Sequence, residues 1–374
     1  MSRETRAGRS SAAVRATATA TFATTSRVTA TAMSRETSRA GAALALVAAV
    51  TLAAACSSAG AYDPTPLYTP SPTASPSATP SPSASPSPAP TGTDVVTANC
   101  LASYEPLKPM PAPGAMPAGS TMREIQQRGR LIAGVSADTL TLAARNPING
   151  RIEGFDIDMI RAVSQAIFGS PDKVELRVIT AAQRLPALQD GSVDIVARNM
   201  TITCARWKDI AFSTEYYRSG QKVMVRLGER TDSGGEITGI RDLVGKKVCA
   251  PNGSTSMDKL RTFEGVEAVG ASTHTGCLVL FQQGAVDAIT GDDTVLAGLA
   301  AQDPFVEVVQ GAAFTAEPYG LGVNQENVDF VRFVNGVLAD MKADGRWKAT
   351  YTTWLAEALG PAPKPPAPVY GRNP

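Results

Sequence analysis

Residues 193–213, VDIVARNMTITCARWKDIAFS, run from a short apolar segment into two threonines, a cysteine and an arginine. VDIVA has the β-branched texture of a buried strand, and the polar residues after it mark where that strand ends. Thr201 and Thr203 stand at the mouth, and Arg206 follows Thr203 by three residues. Thr203 is therefore placed to cap a short helix whose arginine turns back over the strand. Such a group makes a carboxylate seat: a guanidinium gives two parallel charge-assisted bonds, and hydroxyls and backbone N–H groups complete the shell. An ordinary capped helix with a solvated arginine fits the same spacing equally well.

The strand is one of a series. Upstream lie RLIAGVS (130–136) and KVELRVIT (173–180), separated by FDIDMIRAVSQAIFG (155–169) and followed by AQRLPALQDG (182–191), both with helical spacing. The alternation restarts with KKVCAP (246–251), SMDKLRTF (256–263), VEAVGAS (266–272), THTGCLVLFQQG (273–284), VDAITGD (286–292), TVLAGLAAQ (294–302) and VEVVQG (306–311). A last helical stretch from about Val328 carries Phe330, Phe333, Val334, Val337, Leu338 and Met341 on one face. The pattern predicts two α/β lobes on parallel sheets. Ligands of such sheets sit outside the carboxyl ends of the strands, so the cleft between the lobes is the expected site.

Two further stretches point at that cleft. In PNGSTSMDKL (251–260), Ser254 and Thr255 open a helix whose first N–H groups can face an anion, and no lysine completes a phosphate-binding loop. A plain hydroxyl cap explains it as well. VDAITGDD sets Asp292 and Asp293 after a strand, one able to hold an ammonium and the other to begin a helix.

Composition narrows the classes. The 374 residues are 43% hydrophobic, enough for about two domains. Thirty-five basic against 34 acidic side chains leave no basic face for nucleic acid. One histidine, His274, and five cysteines without C-x-x-C spacing argue against a metal centre, and no cofactor is expected.

The N-terminus sets the compartment. GAALALVAAVTLAAA (41–55) is a short apolar run after Arg35 and Arg39 that ends in small residues, a signal-peptide pattern too short to span a bilayer. LAAAC (52–56) resembles a lipoprotein box with Cys56 as the lipidated residue. MSRET occurs at both Met1 and Met33, and a start at Met33 gives a signal of ordinary length within the 1–55 signal region. Residues 56–95 are then a Pro/Ser/Thr-rich tether, too poor in apolar groups to fold, of which some thirty residues in polyproline geometry reach roughly 90 Å at ~3.1 Å per residue. Four cysteines remain for an exported domain to pair. Cys249 with Cys277 and Cys100 with Cys204 is the expected arrangement, one of three that spacing permits.

GFDIDMIRAV (154–163), QDGSVDIVARNMTITCARWKDIAFSTEYY (189–217) and DGRWKATYTTWL (344–355) together resemble the family 3 extracellular solute-binding proteins, over roughly Met122 to Leu359. A closer likeness, to actinobacterial glutamate/aspartate/glutamine-binding lipoproteins, rests on the tether, RNPINGRIEGFDID, TCAR, VCAPNGSTS, GCLVLFQQGAVDAITGDDTVLAG, EPYGLGVN and GPAPKPPAP. The resemblance implies the two-lobed periplasmic-binding-protein fold, with lobe 1 at 121–219 and 318–360, lobe 2 at 220–317, and hinge crossings near YRSGQ and AEPYGLG. It leaves 96–120 as a disulfide-tethered extension and 361–374 as a Pro-rich tail.

The resemblance also assigns the seat. Arg206 and Thr201, with Asn199 beside them and Thr255 from lobe 2, fall on positions for a ligand α-carboxylate, and Asp292 on the position for its ammonium. Arg184 and His274 resemble distal-carboxylate positions, and Arg145 and Arg198 are further candidates. That cationic surplus favours glutamate or aspartate over asparagine or glutamine. SADTLTLAARN (136–146) lacks the aromatic found over the ligand in many relatives, leaving Leu140 or Leu142 there, and Cys204 replaces a common glutamate. The likeness therefore implies a monomeric, lipid-anchored receptor on the outer face of the membrane, delivering its amino acid to an ABC permease. A sensor lipoprotein signalling to a membrane partner that controls glutamate metabolism is the alternative. An exported dehydratase ranks third, because beyond Asp292 and Asp293 no cleft acid can be assigned as proton donor; a binding protein rather than an enzyme is expected.

Overall fold

The computed structural model describes residues 98–373; the expected signal region, Cys56 and the whole of the expected tether lie outside them. Along the chain come strands β1 (Leu131–Val135), β2 (Val174–Val178), β3 (Ile195–Ala197), β4 (Ile210–Phe212), β5 (Tyr217–Ser219), β6 (Gln221–Arg226), β7 (Lys247–Pro251), β8 (Glu267–Ala271), β9 (Ala288–Asp292), β10 (Val306–Val308), β11 (Glu317–Tyr319) and β12 (Gly322–Asn324). Helices α1 (Phe155–Phe168), α2 (Arg184–Gln189), α3 (Thr255–Leu260), α4 (His274–Gln282), α5 (Asp293–Ala300), α6 (Val328–Ala343) and α7 (Arg346–Trp354) pack between and around them.

Ten of these strands form two five-stranded sheets with the same plan: β2–β1–β3–β12–β4 in lobe 1 and β8–β7–β9–β6–β10 in lobe 2. Both sheets are mixed, where a parallel one was expected. β1, β2 and β3 run parallel, as do β7, β8 and β9, but β12 and β6 enter antiparallel to their neighbours. The reason is connectivity. Each antiparallel strand begins just after the chain crosses between lobes, so it arrives from the direction opposite to a strand fed by a helix. The crossings are β5 and β11, paired antiparallel with Tyr217 opposite Tyr319 and Ser219 opposite Glu317.

Burial follows the sequence texture. All five residues of β1, LIAGV, are buried, as a strand covered on both faces requires. In lobe 1, Phe155 at the start of α1 gathers Tyr216, Tyr217, Trp347 and Tyr351, with ring centroids 5.8 to 6.4 Å away. The six apolar residues expected on the α6 face are all buried, and so are Val331, Asn335 and Gly336, because α6 is covered on a second side.

That second cover is built from the ends of the domain. Ser103–Tyr104 pairs with Tyr370–Arg372 in a two-stranded parallel ladder, so the Pro-rich tail is docked against the extension. Buried Asn335 on α6 donates to the Ser103 hydroxyl (2.9 Å) and the Tyr104 carbonyl (2.8 Å). Cys100 is disulfide-bonded to Cys204, the Trp207 indole donates to the Cys100 carbonyl (2.7 Å), and the Arg372 guanidinium lies 3.6 Å over the Trp207 ring. The Cys204–Trp207 turn, which carries Arg206, is thereby held from outside. In lobe 2 a second disulfide, Cys249–Cys277, ties β7 to α4.

Candidate ligand-binding site

The ends of β3 and β9 meet above the paired crossings β5 and β11. After β3 the chain turns at Asn199, whose φ of 36° lies in the left-handed region that asparagine tolerates better than most residues. The turn is held from below: Asp156, the second residue of α1, accepts from the Asn199 N–H (2.8 Å) and the Tyr216 hydroxyl (2.7 Å). Burial pushes the Asp156 carboxyl up to about 6 against these donors. Ile202 N–H donates to the Pro318 carbonyl (2.7 Å) and Gly320 N–H to the Met200 carbonyl (3.0 Å), so the strand mouth is pinned to β11.

Thr203 caps the following turn as its spacing suggests, its hydroxyl accepting from Arg206 N–H at 3.1 Å. The turn is a single 3-10 turn, Arg206–Lys208, rather than an α-helix. Half-buried Arg206 folds back and donates to the Thr201 carbonyl (2.8 Å) and, across the cleft, to the Gly253 carbonyl (3.5 Å). Those two bonds use two of its five N–H donors.

From lobe 2, Ser254 caps α3 by accepting from Met257 N–H (3.0 Å). This leaves Thr255 facing lobe 1, with its hydroxyl 3.3 Å from that of Thr201. The two acids after β9 separate as their positions allow. Asp293 takes the helix start, accepting from Thr294 N–H (2.7 Å) and the Ser219 hydroxyl (2.5 Å). Asp292 is buried; its Oδ2 accepts from the Tyr319 hydroxyl (2.6 Å) and Asn199 Nδ2 (3.4 Å), while its Oδ1 has no hydrogen-bond partner. Burial, reinforced by the charge of Glu317, holds the Asp292 carboxyl up near about 7.

The distal candidates divide. Arg184 is buried and spends four N–H groups on carbonyls of Ala181, Arg198, Asn199 and Gly253, at 2.9 to 3.2 Å. One donor remains, too few for a bidentate clamp, so Arg184 organises backbone at the cleft floor. Arg198 is equally buried but spends only Nε, on the Ile179 carbonyl (2.7 Å), leaving its fork of terminal amines. His274, the first residue of α4, is buried with Nε2 unpartnered. Burial and the nearby Arg198 charge bring it down to about 3, so it is neutral. Arg145 is exposed and donates to the Gly150 carbonyl within its own turn (2.7 Å), and no contact joins it to this group. Leu142 lies in the lobe 1 core, whereas Leu140 approaches Gly298 across the cleft.

Among the described residues, no ion pair within 4 Å involves Arg184, Arg198 or Arg206. Three guanidiniums thus converge on a closed cleft with no close carboxylate partner, facing one carboxylate oxygen that lacks a donor. For buried Arg198, whose terminal amines have no partner among the described residues, an unpaired charge costs several kcal/mol. Four residues of this group were not singled out in the sequence: Asp156, Tyr216, Glu317 and Tyr319. Each lies inside a recognised motif, GFDID, TEYY or EPYG, but faces the site only because the motifs meet in space.

The model of the bacterial extracellular solute-binding proteins, family 3, matches residues 131–357. The ABC transporter glutamine-binding protein GlnH of Bacillus subtilis is 32% identical over 239 residues, covering 63% of this chain and 85% of its own. The glutamate-binding protein GluB of Corynebacterium glutamicum is 31% identical over 247 residues, covering 63% and 80% respectively. Among solved structures, a solute receptor for L-cysteine from Neisseria gonorrhoeae is similar with a TM-score of 0.60 and 27% identity, over 64% of this chain and 96% of that one. The matched region begins at β1, ends just beyond α7 and contains both sides of the cleft; the chain belongs to the bacterial extracellular solute-binding proteins, family 3.

Proposed function

We propose that this chain captures an acidic L-amino acid, glutamate or aspartate with asparagine and glutamine as weaker ligands, by closing its lobes around it. One observation carries the assignment: the guanidiniums of buried Arg198 and half-buried Arg206, neither with a carboxylate within 4 Å, share the cleft with an Asp292 oxygen that has no donor, a charge pattern complementary to an amino-acid zwitterion bearing a second carboxylate. Arg206 takes the α-carboxylate, Asp292 the ammonium, and Arg198 beside neutral His274 the distal carboxylate. Relatives whose names specify glutamine and glutamate support the same ligand class. Lipid attachment at Cys56 and handover to an ABC permease complete the reading.

Calorimetric titration of the purified chain with the twenty amino acids tests it. Glutamate or aspartate is expected to bind tightest; no heat from glutamate, aspartate, asparagine or glutamine would sink the assignment. Arg198→Ala should lower glutamate affinity about tenfold more than glutamine affinity, the difference of one charge-assisted contact. Arg184→Ala should weaken both alike, because its donors hold backbone instead of ligand.

Closure also depends on Gly253. Its φ is +72°, and a Cβ there would sit 2.7 Å from Ala182 Cα across the cleft. Gly253→Ala is expected to weaken binding at least about tenfold while costing roughly 1–2 kcal/mol of stability for the left-handed backbone. Calorimetry and chemical denaturation on the same sample separate the two effects.

A further inference from the structure

The buried carboxylate on β11 is unexplained by the capture of an amino acid. Glu317 Oε2 accepts from the Thr201 hydroxyl at 2.6 Å and from the Thr255 hydroxyl at 2.8 Å, while Oε1 accepts from Thr315 at 2.6 Å. Thr201 belongs to lobe 1 and Thr255 to lobe 2, so one oxygen bridges the cleft. A hydroxyl has a single hydrogen, and an ionised carboxylate only accepts. Both hydrogens are therefore committed to Glu317; the longer 3.3 Å approach between the two hydroxyls is a contact of neighbours that share this acceptor. Neither threonine has a hydrogen left for an incoming carboxylate.

The surroundings of Glu317 are those of a ligand carboxylate. It has two threonine donors from opposite lobes, and its charge, with those of Asp258 and Asp292, favours the charged form of Arg206. Resting on the amino-acid reading above, we propose that Glu317 is an internal competitor for the carboxylate seat: it latches the empty cleft through Thr201 and Thr255 and surrenders both hydroxyls when an amino acid enters. Its bond to Thr315 lies on its own connecting segment and is untouched by that exchange. The latch lowers apparent affinity, because ligand must displace a group already held in place.

The test is Glu317→Ala in the purified chain, read by calorimetry with glutamate and glutamine and by small-angle X-ray scattering without ligand. The expected result is binding about tenfold tighter, with an empty protein of larger radius of gyration than wild type. Weaker or unchanged binding overturns the proposal and makes Glu317 a positioning residue that aims the threonines. Should the alanine variant not fold, Glu317→Gln decides: it keeps the shape but weakens the acceptor, so tighter binding upholds the latch and weaker or equal binding overturns it. If wild type binds no amino acid, the functional reading fails separately, and scattering alone judges the latch: expansion of the empty variant upholds it and no expansion overturns it.

Discussion

Arg206→Ala is expected to remove binding of every amino acid that the wild-type chain accepts. In the proposed seat Arg206 would serve the α-carboxylate, which all such ligands share, and its second bond reaches the Gly253 carbonyl in the opposite lobe, so the loss should be general. Removing one partner of a buried hydrogen-bonded charge pair costs about 3–5 kcal/mol, roughly a hundred- to several-thousandfold in affinity. Arg206→Lys keeps the charge but not the planar fork, and intermediate affinity is expected. The Cys100–Cys204 disulfide and the Arg372–Trp207 stack hold the turn without the arginine, so thermal unfolding of the alanine variant should stay close to wild type. Retained micromolar binding of any amino acid by a folded Arg206→Ala protein would reject the seat.

Asp292→Asn is the second large effect, and it carries a pH signature. The amide keeps the shape and can remain bonded to Tyr319 and Asn199, but it offers no charge to an ammonium. A loss of about a hundredfold or more is expected. In the wild-type chain the empty Asp292 has its carboxyl near about 7, and only its ionised form can take the ammonium. Affinity should therefore be level above about pH 8, and fall as pH drops through 7, about tenfold per unit, with proton release on binding in that lower range. The asparagine variant should lose this slope together with the affinity. A wild-type chain whose affinity is flat from pH 5 to 8 would show that Asp292 is not the ammonium partner.

Much of this architecture is written locally. VDIVA, RLIAGVS and the α1 and α6 periodicities placed strands and helices within a few residues, because buried parallel strands and amphipathic helices both leave short-range patterns. The mixed sheets were hidden, since the direction in which β6 and β12 enter depends on where the chain crosses between lobes. The site shows the same divide. Arg206, Thr255 and Asp292 each end or begin an element and Thr201 lies four residues beyond one, which is a local signal. Arg184 looked like a ligand clamp because its type is visible, while three of the four carbonyls that consume its donors belong to two other segments. Arg145 carries the same charge in the same sequence neighbourhood as α1, yet turns outward to Gly150. Glu317 sat in the quoted EPYG motif, and its role emerged only when strands from both lobes delivered threonines to it.

The two ladders at the periphery also divide the mechanical labour of the molecule. Ser103–Tyr104 and Tyr370–Arg372 lie side by side on lobe 1, so a pull applied at either end of the described chain is borne by lobe 1 alone. Lobe 2 carries neither of these end segments; it is joined to lobe 1 through β5 and β11, which pair with each other, and through bonds across the cleft. In the proposed cycle lobe 1 is the stator and lobe 2 the moving jaw, which swings once the bonds that reach across the cleft from Gly253, Thr255 and Thr275 are released.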